Sequence, residues 1–306
     1  MRELSEAVFE TIRAYVPESD ILENEPMCRH TTFRIGGEAE CFVRISSETQ
    51  LEKLIPYFNQ VEVPYFILGN GSNLLVSDDG YHGVILQLGN CFNKIEVQEN
   101  IMKVQAGALL SQVSKCALEN GLTGLEFASG IPGTMGGGVV MNAGAYGGEM
   151  KQVVQSVTVL DNKGEIFQLD NATMEFGYRT SIIKNRHFTV LQVTLQLASG
   201  NKEEIQQKME ELAARRRAKQ PLEFPCAGST FKRPEGYFAG KLIMDAGLRG
   251  YFVGGAKVSE KHCGFVINTG KATATDVADV IKEVQERVKD KFGVSLEREI
   301  IYLGRF

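Results

Sequence analysis

Residues 65–76 read YFILGNGSNLLV: Tyr65-Phe66-Ile67-Leu68, then Gly69-Asn70-Gly71-Ser72-Asn73, then Leu74-Leu75-Val76. An apolar run of strand length enters a Gly-x-Gly turn. That is how a dinucleotide-binding βα unit opens, but such a unit needs a helix next and a third glycine to seat it on the strand. Here Leu74-Leu75-Val76-Ser77 continues as strand, and no third glycine stands in register. The Rossmann reading is therefore rejected. Two readings remain for the turn itself. It is a tight connection between strands, or a nest of backbone N–H groups around a phosphate, with Ser72 and Asn73 adding side-chain donors.

A second glycine-rich stretch bears on the choice. Eight of the chain's 32 glycines fall in Ser129–Met150, SGIPGTMGGGVVMNAGAYGGEM. So few side chains predict a loop rather than a helix or strand, one whose backbone comes close to a ligand. Gly133-Thr134-Met135-Gly136-Gly137-Gly138 and Asn142-Ala143-Gly144-Ala145-Tyr146-Gly147 both present bare backbone. A cofactor with a pyrophosphate and a flat ring needs two such surfaces: one to neutralise phosphate through N–H groups, one to lie against without Cβ collisions. Two glycine loops without a Rossmann helix point to a flavin nucleotide in another fold.

Length and charge set the frame. At 306 residues the chain predicts two domains. No run reaches membrane-spanning length, and Met1–Asp20, an amphipathic helix carrying Arg2, Glu3, Glu6, Glu10 and Arg13, lacks signal-peptide features; a cytoplasmic protein is expected. Cys28, Cys41, Cys91, Cys116, Cys226 and Cys263 form no C-x-x-C pair, so neither a metal site nor a disulfide framework is expected. His30, His82, His187 and His262 are scattered and read as structural, a covalent flavin link being the functional alternative. Net charge is −5, yet residues 215–261 hold ten basic residues against four acidic ones. The Arg215–Arg217 run alone reads as a solvated face. The whole segment, interleaved with glycine and aromatics, reads as a site for a small polyanion rather than for nucleic acid, given the acidic chain.

Along the chain, Cys41–Ile45, Tyr65–Leu68, Val84–Leu88, Met102–Gln105, Val157–Leu160, Glu165–Leu169 and Val190–Leu197 read as strands. Glu48–Phe58, Leu109–Asn120, Lys202–Lys219 and Thr275–Lys291 read as helices, the last capped by Thr273 or Thr275. The boundary is expected near Gly200, giving domains 1–200 and 201–306, with a terminal strand over Glu299–Leu303.

Several ordered motifs together carry a resemblance. Thr31-Thr32-Phe33-Arg34-Ile35-Gly36-Gly37, Leu68–Leu75, Gly130-Ile131-Pro132-Gly133-Thr134-Met135-Gly136-Gly137, Gly177-Tyr178-Arg179-Thr180-Ser181, Ala227-Gly228-Ser229-Thr230-Phe231-Lys232 and Leu296-Glu297-Arg298-Glu299 resemble those of the UDP-N-acetylenolpyruvoylglucosamine reductase (MurB) family, over essentially the whole chain. The resemblance implies an α+β fold. Its FAD-binding domain has two lobes of the vanillyl-alcohol-oxidase/PCMH type, and a C-terminal α+β domain binds substrate and returns its last strand to the active site. The direct run from Gly177 to Phe188 resembles the shorter subtype, which lacks a mobile tyrosine loop. Also implied are non-covalent FAD, NADPH as co-substrate, a UDP-sugar substrate and a monomer with no membrane or nucleic-acid partner, serving cell-wall synthesis and through it cell shape and division.

The implied chemistry passes hydride to the CH₂ carbon of an enolpyruvyl ether, builds charge on its carboxylate, and then protonates the neighbouring carbon. Ser229 is the candidate proton donor, helped by access at Gly228 and by the charges of Lys232 and Arg233. Arg179 is the candidate partner of the carboxylate, since a guanidinium holds it bidentately and stays charged. Glu299 is the third member, chosen from the family spacing; Glu297 and Glu299 share one face of a strand. Without the resemblance, Arg179 and Glu299 would read as a surface ion pair. FAD contacts implied by the motifs are Arg34, Gly36, Gly69, Asn70, Gly71, Ser72, Asn73, Leu74, Gly130, Gly133, Thr134, Gly136, Gly137, Asn142, Gly144 and Ala145. For the substrate the pool is Lys219, Lys232, Arg233, Tyr237, Lys241, Arg249, Lys257, Lys261 and Asn268, with Arg233 standing where some family members carry Asn. Two other readings stay open at this level: an FAD oxidase of the same fold acting on a small alcohol, and a non-catalytic nucleotide-binding module. The basic segment argues against the former, because a neutral alcohol needs no diphosphate clamp.

Overall fold

The structure, a computed structural model, describes residues 4–306. Its contacts divide the chain into two compact units. The first takes the chain through Glu23, Cys41–Asn70 and Gly83–Arg216; the second takes Asn24–Glu40, Gly71–His82 and Arg217–Phe306.

The first unit begins with α1, Glu6–Tyr15, which buries Val8 and Ile12 and pairs Arg13 with Glu6 at 2.7 Å; Arg2 and Glu3 of the expected helix lie outside the described residues. A four-stranded sheet follows in the order Ile21–Pro26, Glu38–Ile45, Tyr81–Leu88, Tyr65–Leu68. Its last two strands are parallel, Tyr65 opposite Val84 and Leu68 opposite Gln87. Against it lies α2, Glu48–Gln60, started by a Ser47–Gln50 capping box and burying Leu51, Leu54, Ile55 and Phe58. A five-stranded antiparallel sheet runs Ile166–Asp170, Val154–Leu160, Thr189–Gln196, Ile101–Gln105, Ile95–Gln98. It carries α3, Leu110–Glu119, and α4, Met135–Val140. The expected strands and the helix Lys202–Lys219 are all present.

The helix α4 corrects the expectation of a loop throughout Ser129–Met150. Each glycine costs a helix about 1 kcal/mol relative to alanine. What offsets that cost is close approach. A Cβ on Gly136 would stand 2.9 Å from Ala106 Cβ, and one on Gly138 would stand 3.3 Å from Leu110. The helix is thus seated on its neighbours through the atoms that glycine lacks. After it, α5 spans Ile182–Arg186, so a five-residue helix separates Ser181 from His187 with no long insertion.

The single cut near Gly200 also needs correction. Gly200 donates to the Gly121 carbonyl at 2.8 Å, and α6, Lys202–Lys219, anchors Lys202 on the Glu119 carbonyl at 2.6 Å while burying Ile205 and Leu212. The first unit therefore keeps the chain through Arg216. Conversely, two early segments join the second unit, because Phe33, Ile35 and Leu75 are buried in its core.

That second core is built on α8, Ala274–Phe292, with α7, Ala239–Asp245, and a small antiparallel sheet Phe252–Val253, Ala256–Val258, Val266–Asn268. Thr273 caps α8 in a capping box with Asp276. Asp78 reinforces the same end, its carboxylate accepting from the Ala274 N–H at 2.7 Å and the Thr275 N–H at 2.9 Å. The segment after Gly71 is held by a parallel pair, Leu74–Val76 with Ile301–Leu303.

Candidate active site

Within the first unit the two glycine loops meet, although more than sixty residues separate them. Asn70 donates its side-chain amide to the Pro132 carbonyl at 2.6 Å. A Cβ on Gly69 would stand 2.4 Å from Thr134 Oγ1, so only glycine admits this approach. Gly69, Asn70 and Thr134 line a cleft of about 300 Å³, together with Arg44, Gln87 and Leu109. Arg44 and Gln87 were not singled out from sequence; each sits at the end of a strand that runs into the cleft wall. In α4, Met135, Gly136 and Gly138 are buried whereas Gly137 is exposed, and a Cβ there would meet only Thr134 Oγ1 at 3.5 Å. Gly137 thus presents bare backbone at the surface. Gly130 is exposed too, flanked by the Arg216 side chain. A cradle that added Cβ atoms would fill, lined by one cation and several amides, fits a flavin nucleotide.

Asn142 is buried and fully engaged. Its Nδ2 donates to Glu149 and to the Gly177 carbonyl at 3.0 Å, and its Oδ1 accepts from the Lys151 N–H at 2.9 Å. Asn142 is therefore a strut of the loop. It ties Gly177 to the Gly144–Ala145 strand, which pairs with Gly148–Glu149. Arg179 sits in the same tight turn, bridged Gly177 to Thr180, with φ +56°. A left-handed arginine costs about 1–3 kcal/mol and persists only where its surroundings hold it. Its Nη2 reaches the Gly144 carbonyl at 3.4 Å, and its guanidinium lies 5.2 Å from the Tyr178 ring centre.

In the second unit Gly71, φ +59°, would put a Cβ 2.0 Å from the His30 carbonyl oxygen, and Thr32 donates to the Gly71 carbonyl at 3.2 Å. Gly36, φ +133°, packs on Val76, while Arg34, φ +55°, is exposed. Ser72 and Asn73 are half-buried; Leu74 is buried, so it serves the core rather than a ligand. The segments holding Ser229 and Glu299 are joined through the backbones of their neighbours. The Glu299 N–H donates to the Thr230 carbonyl at 2.9 Å, Phe231 bridges Arg298, and the Lys232 N–H donates to the Glu297 carbonyl at 2.8 Å. Gly228, φ +75° with open space around it, delivers the chain to Ser229. Thr32, not singled out for this, fixes the loop from the other side by donating to the Cys226 carbonyl at 2.7 Å.

The basic pool does not converge as one cluster of bare charges. Lys241 pairs with Asp245 at 2.7 Å, Lys261 with Glu223 at 3.6 Å, Lys257 with Glu260, and Lys232 with Glu297. Arg249 Nε donates to the Glu260 carbonyl at 2.7 Å, and Lys219 is exposed at the end of α6. Arg233 stacks on Phe238 at 4.0 Å and donates to the Tyr237 carbonyl at 3.2 Å, placing a cation among two exposed aromatics. Asn268 is occupied within the protein. It is buried, its Nδ2 donates to the Phe33 carbonyl at 3.1 Å, and its Oδ1 accepts from Gly270 and Ala272. An amide with those valences filled holds a turn.

Residues 39–170 match the family described as FAD binding domain, and residues 220–303 match UDP-N-acetylenolpyruvoylglucosamine reductase, C-terminal domain. A UDP-N-acetylenolpyruvoylglucosamine reductase of Caldanaerobacter subterraneus subsp. tengcongensis is 52% identical, covering 98% of this chain and 99% of its own length. That of Clostridioides difficile is 52% identical over 94% of each. Among solved structures, the UDP-N-acetylenolpyruvylglucosamine reductase of Thermus caldophilus is 34% identical, with a TM-score of 0.80 over 93% of this chain and 98% of that one.

Proposed function

The chain belongs to the UDP-N-acetylenolpyruvoylglucosamine reductase family, and we propose on that premise that Ser229, Arg179 and Glu299 carry out its reaction. The reaction is the NADPH-dependent, FAD-mediated reduction of UDP-N-acetylglucosamine enolpyruvate to UDP-N-acetylmuramate in peptidoglycan synthesis. Bound FAD would supply the hydride chemistry that links NADPH to the enolpyruvyl CH₂ carbon. The chain's own residues hold the reactants and move the proton. Gly69, Asn70, Thr134 and Gly137 seat the flavin nucleotide. Arg179 holds the substrate carboxylate and stays charged as the enolate forms. Ser229 gives its hydroxyl proton to the neighbouring carbon, and Glu299 holds the hydrogen-bonding partners in line. The N-terminal part holds the cofactor; the C-terminal part, with Lys232, Arg233 and Tyr237 beside Ser229, takes the sugar nucleotide.

The observation that best supports this reading is the bridge of Phe231 to Arg298, flanked by the Glu299 N–H on the Thr230 carbonyl and the Lys232 N–H on the Glu297 carbonyl, which ties the segment after Ser229 to the one holding Glu299. The reading includes a monomer working in the cytoplasm without membrane or nucleic-acid partners, contributing to cell shape and division through the wall. The acidic chain supports it, as does the lack, among the described residues, of a helix long and apolar enough to cross a membrane. The test is anaerobic stopped-flow spectroscopy of both half-reactions. In Ser229→Ala, NADPH is expected to bleach the flavin at the wild-type rate, while reoxidation by the enolpyruvyl sugar slows about 10²–10⁴-fold. Reoxidation at the wild-type rate would remove Ser229 from the mechanism.

A further inference from the structure

The segment bearing Ser229 is held by a turn whose geometry depends on one imidazole. Thr230, the residue after Ser229, donates its N–H to the Gly264 carbonyl at 2.9 Å and accepts on Oγ1 from the Val266 N–H at 3.0 Å. Gly264 in turn donates its own N–H to Nδ1 of His262 at 3.1 Å. The rest of the turn is closed by Ser259, buried, whose Oγ accepts from the Lys261 and His262 N–H groups. Phe265 donates to the His262 carbonyl at 3.0 Å, and its ring meets the imidazole edge-on at 4.9 Å. On the other side the imidazole closes against Gly240 of α7, where a Cβ would stand 3.3 Å from Cε1. An N–H donor aimed at Nδ1 requires a lone pair there, so the ring is neutral with its hydrogen on Nε2.

We infer that His262 is a positioning residue for the reductase. Its neutral Nδ1 fixes the Gly264 peptide, the Gly264 carbonyl fixes Thr230, and Thr230 sets where the Ser229 hydroxyl points. The inference rests on Ser229 being the proton donor. Protonating Nδ1 would place two donors face to face, Nδ1–H and the Gly264 N–H, and the turn would have to open. Its surroundings keep that from happening near neutrality. Burial lowers the imidazole's affinity for a proton, and the nearby cation of Lys219 lowers it further. The other charges around the turn and α7 are already engaged: Lys261 with Glu223, Lys257 with Glu260, Arg249 on the Glu260 carbonyl, and Lys241 with Asp245. Cys263, next in the chain, is a thiol that burial pushes upward, so it carries no charge to offset an imidazolium.

The test uses the FAD-loaded enzyme, reduced anaerobically and mixed with the enolpyruvyl UDP-sugar across a pH series. His262→Leu, which removes the acceptor, is expected to slow reoxidation about tenfold, the scale of one lost hydrogen bond. Flavin content and the rate of flavin reduction by NADPH stay within about twofold, because neither passes through Ser229. His262→Asn, whose Oδ1 can accept the same N–H, restores reoxidation. Wild type loses reoxidation rate as pH falls below the ordinary imidazole value of about 6.5, and the Asn variant lacks that acid limb. His262→Leu reoxidising at the wild-type rate overturns the inference. So does His262→Asn as slow as the Leu variant, or an acid limb identical in wild type and His262→Asn. Ser229→Ala, run beside them, separates the two ideas. A slow Ser229→Ala with a normal His262→Leu sinks only the positioning role, whereas a normal Ser229→Ala sinks the proton-donor reading on which it rests.

Discussion

The side-chain amide of Asn73 donates to the Glu299 carbonyl at 3.2 Å, and the Ile301 N–H answers to the Asn73 carbonyl at 3.0 Å. The end of the glycine turn is thereby bonded to the segment that carries the proposed catalytic carboxylate, just before the strand Ile301–Leu303. Asn73→Leu is expected to lower FAD retention and to slow reoxidation by the sugar together, by about tenfold for the loss of one partly buried hydrogen bond. Unchanged half-reactions, measured at saturating FAD and again after gel filtration, would show that the clasp is incidental to the site.

Gly71 and Gly137 are predicted to fail in different ways. At Gly71 a methyl group would collide with the His30 carbonyl at 2.0 Å in a backbone already at φ +59°. Gly71→Ala should therefore destabilise the protein itself, visible as a lowered melting temperature. Gly137 is exposed, and a Cβ there meets nothing nearer than 3.5 Å. Gly137→Val should melt close to wild type yet purify without colour. A Gly137→Val protein retaining stoichiometric FAD would mean that this face of α4 is not the flavin surface.

Part of the local geometry was legible in the sequence because it is made of backbone. Gly69 announces a close approach by what it lacks, and a strand followed by Gly-x-Gly and another strand excludes a Rossmann helix locally. The strand Tyr65–Leu68 and the helix Lys202–Lys219 fall where the residue pattern puts them. What could not be read is non-local. Helix α4 exists because Ala106 and Leu110 accept its bare face, and neither residue signals that partner. Phe33 and Leu75 read as ordinary apolar residues of an N-terminal domain, yet both are buried in the core of the second unit. The intramolecular bonds that Asn268 and Asn142 make with segments distant in sequence also have no local signal. The left-handed backbone at Arg179 has no signature in residue type at all.

The start of α8 offers a stability test. Burial alone would raise the Asp276 carboxyl, but the N–H donors of Gly255 and Thr273, at 3.0 and 3.1 Å, outweigh it and hold the group below its ordinary value. A carboxylate with a depressed folded value stabilises above its unfolded value of about 3.9 and loses that contribution as pH falls through the folded one. Asp276→Ala should cost about 1 kcal/mol at pH 7, as for other lost caps. The gap between mutant and wild type should close in acid. Denaturant midpoints at pH 7 and pH 3 decide it; a gap that is constant with pH would mean that the charge of Asp276 contributes nothing.

Lys232 and Glu297 provide the sharpest test of how the substrate is held. Lys232 lies three residues beyond Ser229, its side chain only 23% exposed, while its partner Glu297 is 71% exposed. If Lys232 takes an anionic group of the substrate, Glu297 competes for the same ammonium before the substrate arrives. Removing each partner should then act in opposite directions. Lys232→Ala should raise KM for the UDP-sugar about tenfold or more, since a hydrogen bond to a charged group is worth about 1.5–3 kcal/mol. Glu297→Gln should lower KM, because the ammonium is released from its internal counterion, while the amide can still accept from it. Neither change should alter flavin reduction by NADPH if that half-reaction does not use Lys232. Salt separates the mechanisms further. Raising ionic strength from 0.1 to 1 M shortens the Debye length from about 10 to about 3 Å. That should raise KM in Glu297→Gln more steeply than in Lys232→Ala, which has no charge left to screen. A Lys232→Ala enzyme with wild-type KM, or a Glu297→Gln enzyme with weakened binding, would make the ion pair a structural brace between the two segments and leave the substrate's anion to Arg233 and the other cations.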